Sequence, residues 1–171
     1  MVTSKTNYYD EIAEGYDELH REEQLHKLEF LSNFIKPNPY EKLLDVGCGT
    51  GISTEYWDCK RYGIDPSTKL IEIAKHKNKN TEYKIAPAEN IPYPDNYFDC
   101  VTSITAIQNF SNIEKALEEI KRVLKKNKKI MISTLKESKK KQYINKKISE
   151  IFAIKEVQEH KIDIFFVCEN K

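Results

Sequence analysis

Nine residues constrain this chain more than any other stretch: Leu43-Leu44-Asp45-Val46-Gly47-Cys48-Gly49-Thr50-Gly51. Apolar residues run into an acid and then into alternating glycines, the pattern of a buried strand that ends in a tight turn and opens a helix. Glycine is needed where backbone must be approached closely or where φ is positive, and three of the chain's 5 glycines fall here. Packing alone accounts poorly for that concentration. A dinucleotide fingerprint requires a glycine three residues after Gly49, where Ile52 stands, and a P-loop requires lysine and a hydroxyl after its second glycine, which Gly51 lacks. What is left is acid-x-G-x-G-x-G after a strand, or a glycine turn that binds nothing.

That remaining pattern resembles the first motif of the class I S-adenosylmethionine (SAM) dependent methyltransferases, and in particular their small, type 11-like domains. The resemblance implies a loop that wraps the methionine part of SAM, with Asp45, Gly47, Cys48 and Gly49 at the cofactor. It also implies a Rossmann-like, doubly wound α/β fold: a mostly parallel seven-stranded sheet with an antiparallel last strand. Residues 9–17, read as Tyr-Asp-x-x-Ala-x-x-Tyr-Asp, are similar to the segment that forms a lid over the cofactor in this family. Tyr9 and Tyr16 then belong to the cofactor site, and residues 1–40 form a helical lid segment on a core of residues 41–171. At helical period the same aromatic face also serves to cover a core.

The rest of the chain alternates strands and helices. A second helix carries Leu25, Leu28, Leu31, Phe34 and Ile35 on its apolar face, with Arg21 and Lys27 expected in solvent. After the glycine loop, a two-turn helix is expected from Ile52 through Trp57. The next strand, residues 60–64, ends in Asp65-Pro66-Ser67. An acid closing that strand is placed to accept hydrogen bonds from both ribose hydroxyls, while Ser67 caps the following helix. A short strand at 81–86 carries Lys84, as an edge strand does. Residues 87–99 are similar to the family's adenine-side motif, but Pro87 stands where the family has an acid. The adenine contact is therefore expected from Ala88 or Glu89.

Residues 98–104 read as a central strand running out to Ile104, and the polar Thr105, Gln108 and Asn109 beyond it are candidates for the acceptor side. Ser111 and Glu114 have capping-box spacing, opening an amphipathic helix whose Lys121 and Arg122 are expected to be wet. Residues 125–129 are expected as a turn before a strand at 130–135. Lys139, Lys140 and Lys141 follow that strand at the start of the next helix, near the mouth. Residues 153–158 and 162–168 read as two strands, and the resemblance implies that they close the sheet as an antiparallel hairpin with the last strand inserted beside the fifth.

Composition bounds the partners. The formal net charge of +1 gives no field for nucleic acid or membrane, and Cys48, Cys59, Cys100 and Cys168 form no C-x-x-C pair. No metal site, signal peptide, membrane segment or second domain is expected, and the scattered thiols suit a reducing cytoplasm. The resemblance implies a SAM-dependent methyltransferase acting on a small molecule. RNA, with a small partner subunit, and a non-catalytic SAM-binding module are the alternatives.

Overall fold

A computed structural model describes residues 16–171, with side chains from residue 21 onward. Helix α1 spans Tyr16–Leu31 and is followed by strand β1, Lys42–Val46. Next come α2 (Ile52–Glu55), β2 (Lys60–Asp65), α3 (Thr68–Lys77) and β3 (Glu82–Ile85). The second half runs β4 (Phe98–Ser103), a 3-10 turn (Ile107–Asn109), α4 (Ile113–Val123) and β5 (Leu124–Leu135). Helix α5 (Lys141–Ile151) leads to β6 (Ala153–His160) and β7 (Asp163–Glu169).

The seven strands form one sheet in the order β3-β2-β1-β4-β5-β7-β6. Strands β1 to β5 pair in parallel, and β7 inserts antiparallel between β5 and β6. The doubly wound sheet expected from the sequence is present, with β3 at one edge. Alternation along each strand explains why helices lie on both faces. Leu43, Cys100, Met131, Phe165 and Val167 pack with Leu28, Leu31 and Ile35 of the α1 region. Their neighbours Leu44, Val101, Ile130, Phe166 and Cys168 pack with Leu117, Ile120, Ile144 and Ile148 of α4 and α5.

Several local expectations are corrected. The helix after the glycine loop is one turn, and Leu25 is 39% exposed, outside the apolar stripe. Lys27 is not solvated: it is 1% exposed and ion-paired with Asp163 at 2.8 Å and Glu23 at 2.6 Å. Arg122 is half-buried and partnered rather than simply solvated; it donates to Glu119, Asp95 and the carbonyls of Ile91 and Tyr93. The α4 cap is Asn112, which accepts from Lys115 N, whereas Ser111 is exposed. Residues 125–129 belong to β5 rather than to a turn; Lys125 pairs with Asp99 of β4 and Lys128 with Glu41, just before β1, each at 2.8 Å. The register shifts between Phe98 and Cys100, and Asn127 takes φ 59°, marking a bulge there.

Candidate cofactor and acceptor site

Strand order reverses between β1 and β4, and in open α/β sheets the ligand crevice lies beyond the carboxyl ends of the strands at such a point. The glycine loop lies on one side of it. Gly47, Gly49 and Gly51 all have positive φ, at 78°, 54° and 87°, a region that costs glycine nothing. The loop is fastened to β2 by the Gly47 and Cys48 amides, which donate to the Ile64 carbonyl at 2.8 and 3.0 Å. A side chain at Gly47 would strike the Ala106 Cβ, 2.6 Å from its first carbon. Close approach of the β4 loop thus forbids anything but glycine there.

Asp65 ends β2 beside this loop and is 9% exposed. Its two carboxylate oxygens are aimed by backbone: Oδ1 accepts from Ser67 N at 2.9 Å and Oδ2 from Gly49 N at 3.1 Å. Ser67 caps α3 by accepting from Leu70 N, so the acid and the cap are separate residues as the sequence indicated. Asp45, by contrast, is placed behind the loop. It is fully buried, and its carboxylate accepts from Ser53, Thr54 and Thr102 at 2.6, 2.8 and 3.1 Å. Burial pushes its pKa up, against those hydroxyls, which pull it down. These three hydroxyls tie Asp45 to the start of α2 and to β4. Cys48 is buried too, and burial together with the Asp65 and Asp45 charges holds its thiol well above the usual range.

The other expected positions are distributed around the crevice. Pro66 is exposed, Ala88 and Ile104 are buried, and Glu89 accepts from Asn112 N at 2.9 Å, joining the 87–97 loop to the start of α4. Thr105 and Gln108 come together, but their side chains hold the loop itself. The Thr105 hydroxyl donates to Asp163 at 3.0 Å, and Gln108 spans the Thr105 carbonyl at 2.8 Å and the Thr134 hydroxyl at 3.2 Å. Asn109 closes the 3-10 turn through its amide to the Ala106 carbonyl. Lys140 Nζ donates to the Gln108 carbonyl at 3.2 Å, which places one of the three lysines beside this loop. Tyr9 lies outside the described residues, and Tyr16 opens α1. Among the described residues no group of three or more His, Cys, Asp or Glu is placed to hold a metal.

Sequence reasoning passed over Lys27, Asp163 and Ser133. One signal was available: Lys27 stands four residues before Leu31, on the apolar stripe of α1. Asp163 heads the apolar run of β7, an odd place for an unpaired acid.

Residues 44–132 match the methyltransferase-domain family. The chain belongs to the class I SAM-dependent methyltransferase family. A demethylmenaquinone methyltransferase of Thermotoga maritima is 33% identical over 137 residues, covering 74% of this chain and 59% of that protein. The chain spans about half the length of the curated relatives it matches. A SAM-dependent methyltransferase from Aquifex aeolicus has the same fold with a TM-score of 0.82 at 22% identity, covering 95% of this chain and 98% of that one. A methyltransferase from Haloferax volcanii, solved in complex with the Trm112 methyltransferase activator, superposes with a TM-score of 0.83 at 14% identity, covering 95% and 97%. The residues of the crevice fit the family's cofactor: a backbone cradle made by left-handed glycines, and one oriented carboxylate beside it.

Proposed function

We propose that this chain transfers the methyl group of SAM to a small-molecule acceptor. The observation that carries the proposal is Asp65, aimed by the Gly49 and Ser67 amides at the end of β2, next to the reversal of strand order. When bound, SAM supplies a methyl carbon already activated by a positive sulfur. Asp65 takes the ribose hydroxyls, the Gly47 to Gly49 backbone takes the methionine portion, and Pro66, Ala88 and Glu89 flank the adenine. Ile104 walls the crevice, and the turn holding Thr105, Gln108 and Asn109 stands on the acceptor side. The acceptor is the nucleophile: its electron pair forms the bond to the methyl carbon as the methyl–sulfur bond breaks and S-adenosylhomocysteine leaves, so the protein has to orient the pair and exclude water, and a base is needed only for an acceptor that arrives protonated. The lid role of residues 1–40, with Tyr9 and Tyr16, belongs to the same proposal.

The small-molecule acceptor is supported by the relatives' names, which point first to a demethylated quinol. RNA recognition aided by a small partner subunit is the second reading, favoured by Lys139, Lys140 and Lys141 at the start of α5. Methyl-labelled SAM offered with demethylmenaquinol, a metabolite extract and total RNA separates the two. Label in the quinol or the extract is expected. Label in RNA alone reverses the order, and binding without label in any pool leaves a non-catalytic module.

A further inference from the structure

Thr105 has φ 53°, a left-handed conformation that is a genuine outlier for a β-branched residue. It persists because four elements hold it. Its amide donates to Ser133 Oγ of β5 at 2.7 Å, and its carbonyl accepts from Gln108 Nε2 of the 3-10 turn at 2.8 Å. Its hydroxyl donates to Asp163 Oδ1 of β7 at 3.0 Å and accepts from Lys27 Nζ of α1 at 3.2 Å. Lys27 and Asp163 are ion-paired at 2.8 Å, and their side chains are 2% and 0% exposed. Glu23, one helical turn before Lys27, adds a second carboxylate at 2.6 Å. The residue after Thr105 is Ala106, whose Cβ presses on Gly47 of the glycine loop.

A buried ion pair is weak evidence for stability, since an apolar pair of equal volume commonly serves as well. Geometry is the better account of this one. We propose that Lys27 and Asp163 are positioning residues for methyl transfer: through the Thr105 hydroxyl they fix the turn after β4 against the glycine loop, and so set where the acceptor stands relative to the methyl donor. The inference rests on the methyltransferase reading above. It makes α1 part of the acceptor side, because Lys27 is its buried contact with that turn.

The double variant Lys27→Met/Asp163→Asn removes both charges at similar volume, so no unpaired charge is left buried. Thr105→Val removes only the hydroxyl and serves if the double variant does not fold. In both, kcat with the acceptor pool that labels is expected to fall at least about tenfold, while the KM for SAM and the calorimetric Kd for S-adenosylhomocysteine move less than about threefold, because misplacement taxes orientation more than binding. Amide exchange across residues 104–110 is expected to quicken by about tenfold or more, with residues 42–65 unchanged. Wild-type turnover in the folded variants, or cofactor affinity lost in step with kcat, overturns the proposal. Exchange is read without an acceptor. A wild-type protein that neither binds S-adenosylhomocysteine nor transfers label therefore sinks the methyltransferase reading, whereas unchanged exchange at 104–110 in both variants sinks the positioning role.

Discussion

Two acids near the same loop are both buried but held by different groups. Asp65 lies at the crevice with its oxygens aimed by two amides, and Asp45 lies behind the loop with its oxygens spent on three hydroxyls. Asp65→Ala is expected to weaken S-adenosylhomocysteine binding by about 1.5–3 kcal/mol, the scale of hydrogen bonds to a charged group. Calorimetry on a variant that melts normally checks this, and unchanged affinity removes Asp65 from the ribose. Asp45→Ala should act first on stability, since Ser53, Thr54 and Thr102 lose their common acceptor in a dry site. A loss of roughly 3 kcal/mol in a denaturant titration is expected. Affinity lost without stability would place Asp45 at the ligand after all.

The 87–97 loop shows how one element is held by another. Arg122 of α4 reaches the Ile91 and Tyr93 carbonyls, and Glu119 accepts from Ile91 N at 2.9 Å, so the helix braces the segment that ends at β4. The Arg122 guanidinium holds the Glu119 carboxyl below its ordinary range, outweighing burial, and the Ile91 amide adds to the effect. A carboxyl lowered in the fold stabilises it fully above the unfolded value of 4.5, and that contribution disappears as pH falls through the folded value. Glu119→Gln should therefore be less stable than wild type at pH 7 and converge with it as pH falls below the folded value. Urea midpoints measured across that range test the sign; parallel curves would mean that Glu119 carries no linked proton. Sequence reading placed α4 correctly by its apolar period, yet it left Arg122 in water. Its partners other than Glu119 lie about thirty positions away in a loop whose path no local pattern specifies.

At the scale of the molecule, a ligand that binds only the folded chain must raise its stability. S-adenosylhomocysteine at a hundredfold excess over Kd should add about 2.7 kcal/mol, or roughly 5–10 °C in Tm for a domain of this size, with one site per chain. No heat and no shift would defeat the cofactor assignment for this chain. The strand and helix alternation, the glycine loop and the acid at the end of β2 were legible in the sequence because each depends on neighbours within a few residues: side-chain period, positive φ, a cap. The resemblance supplied the doubly wound, mostly parallel sheet and the antiparallel β7 beside the fifth strand. Tertiary structure alone decided the rest. It put Asp45 behind the turn, buried Lys27 against Asp163, and bent Thr105 into a left-handed conformation next to Ala106, which lies close to Gly47. These outcomes join residues as much as 136 positions apart, as in Lys27 and Asp163. Whether a charge meets water or a partner depends on which surfaces the closed sheet brings together, and that is not written in the spacing of either residue.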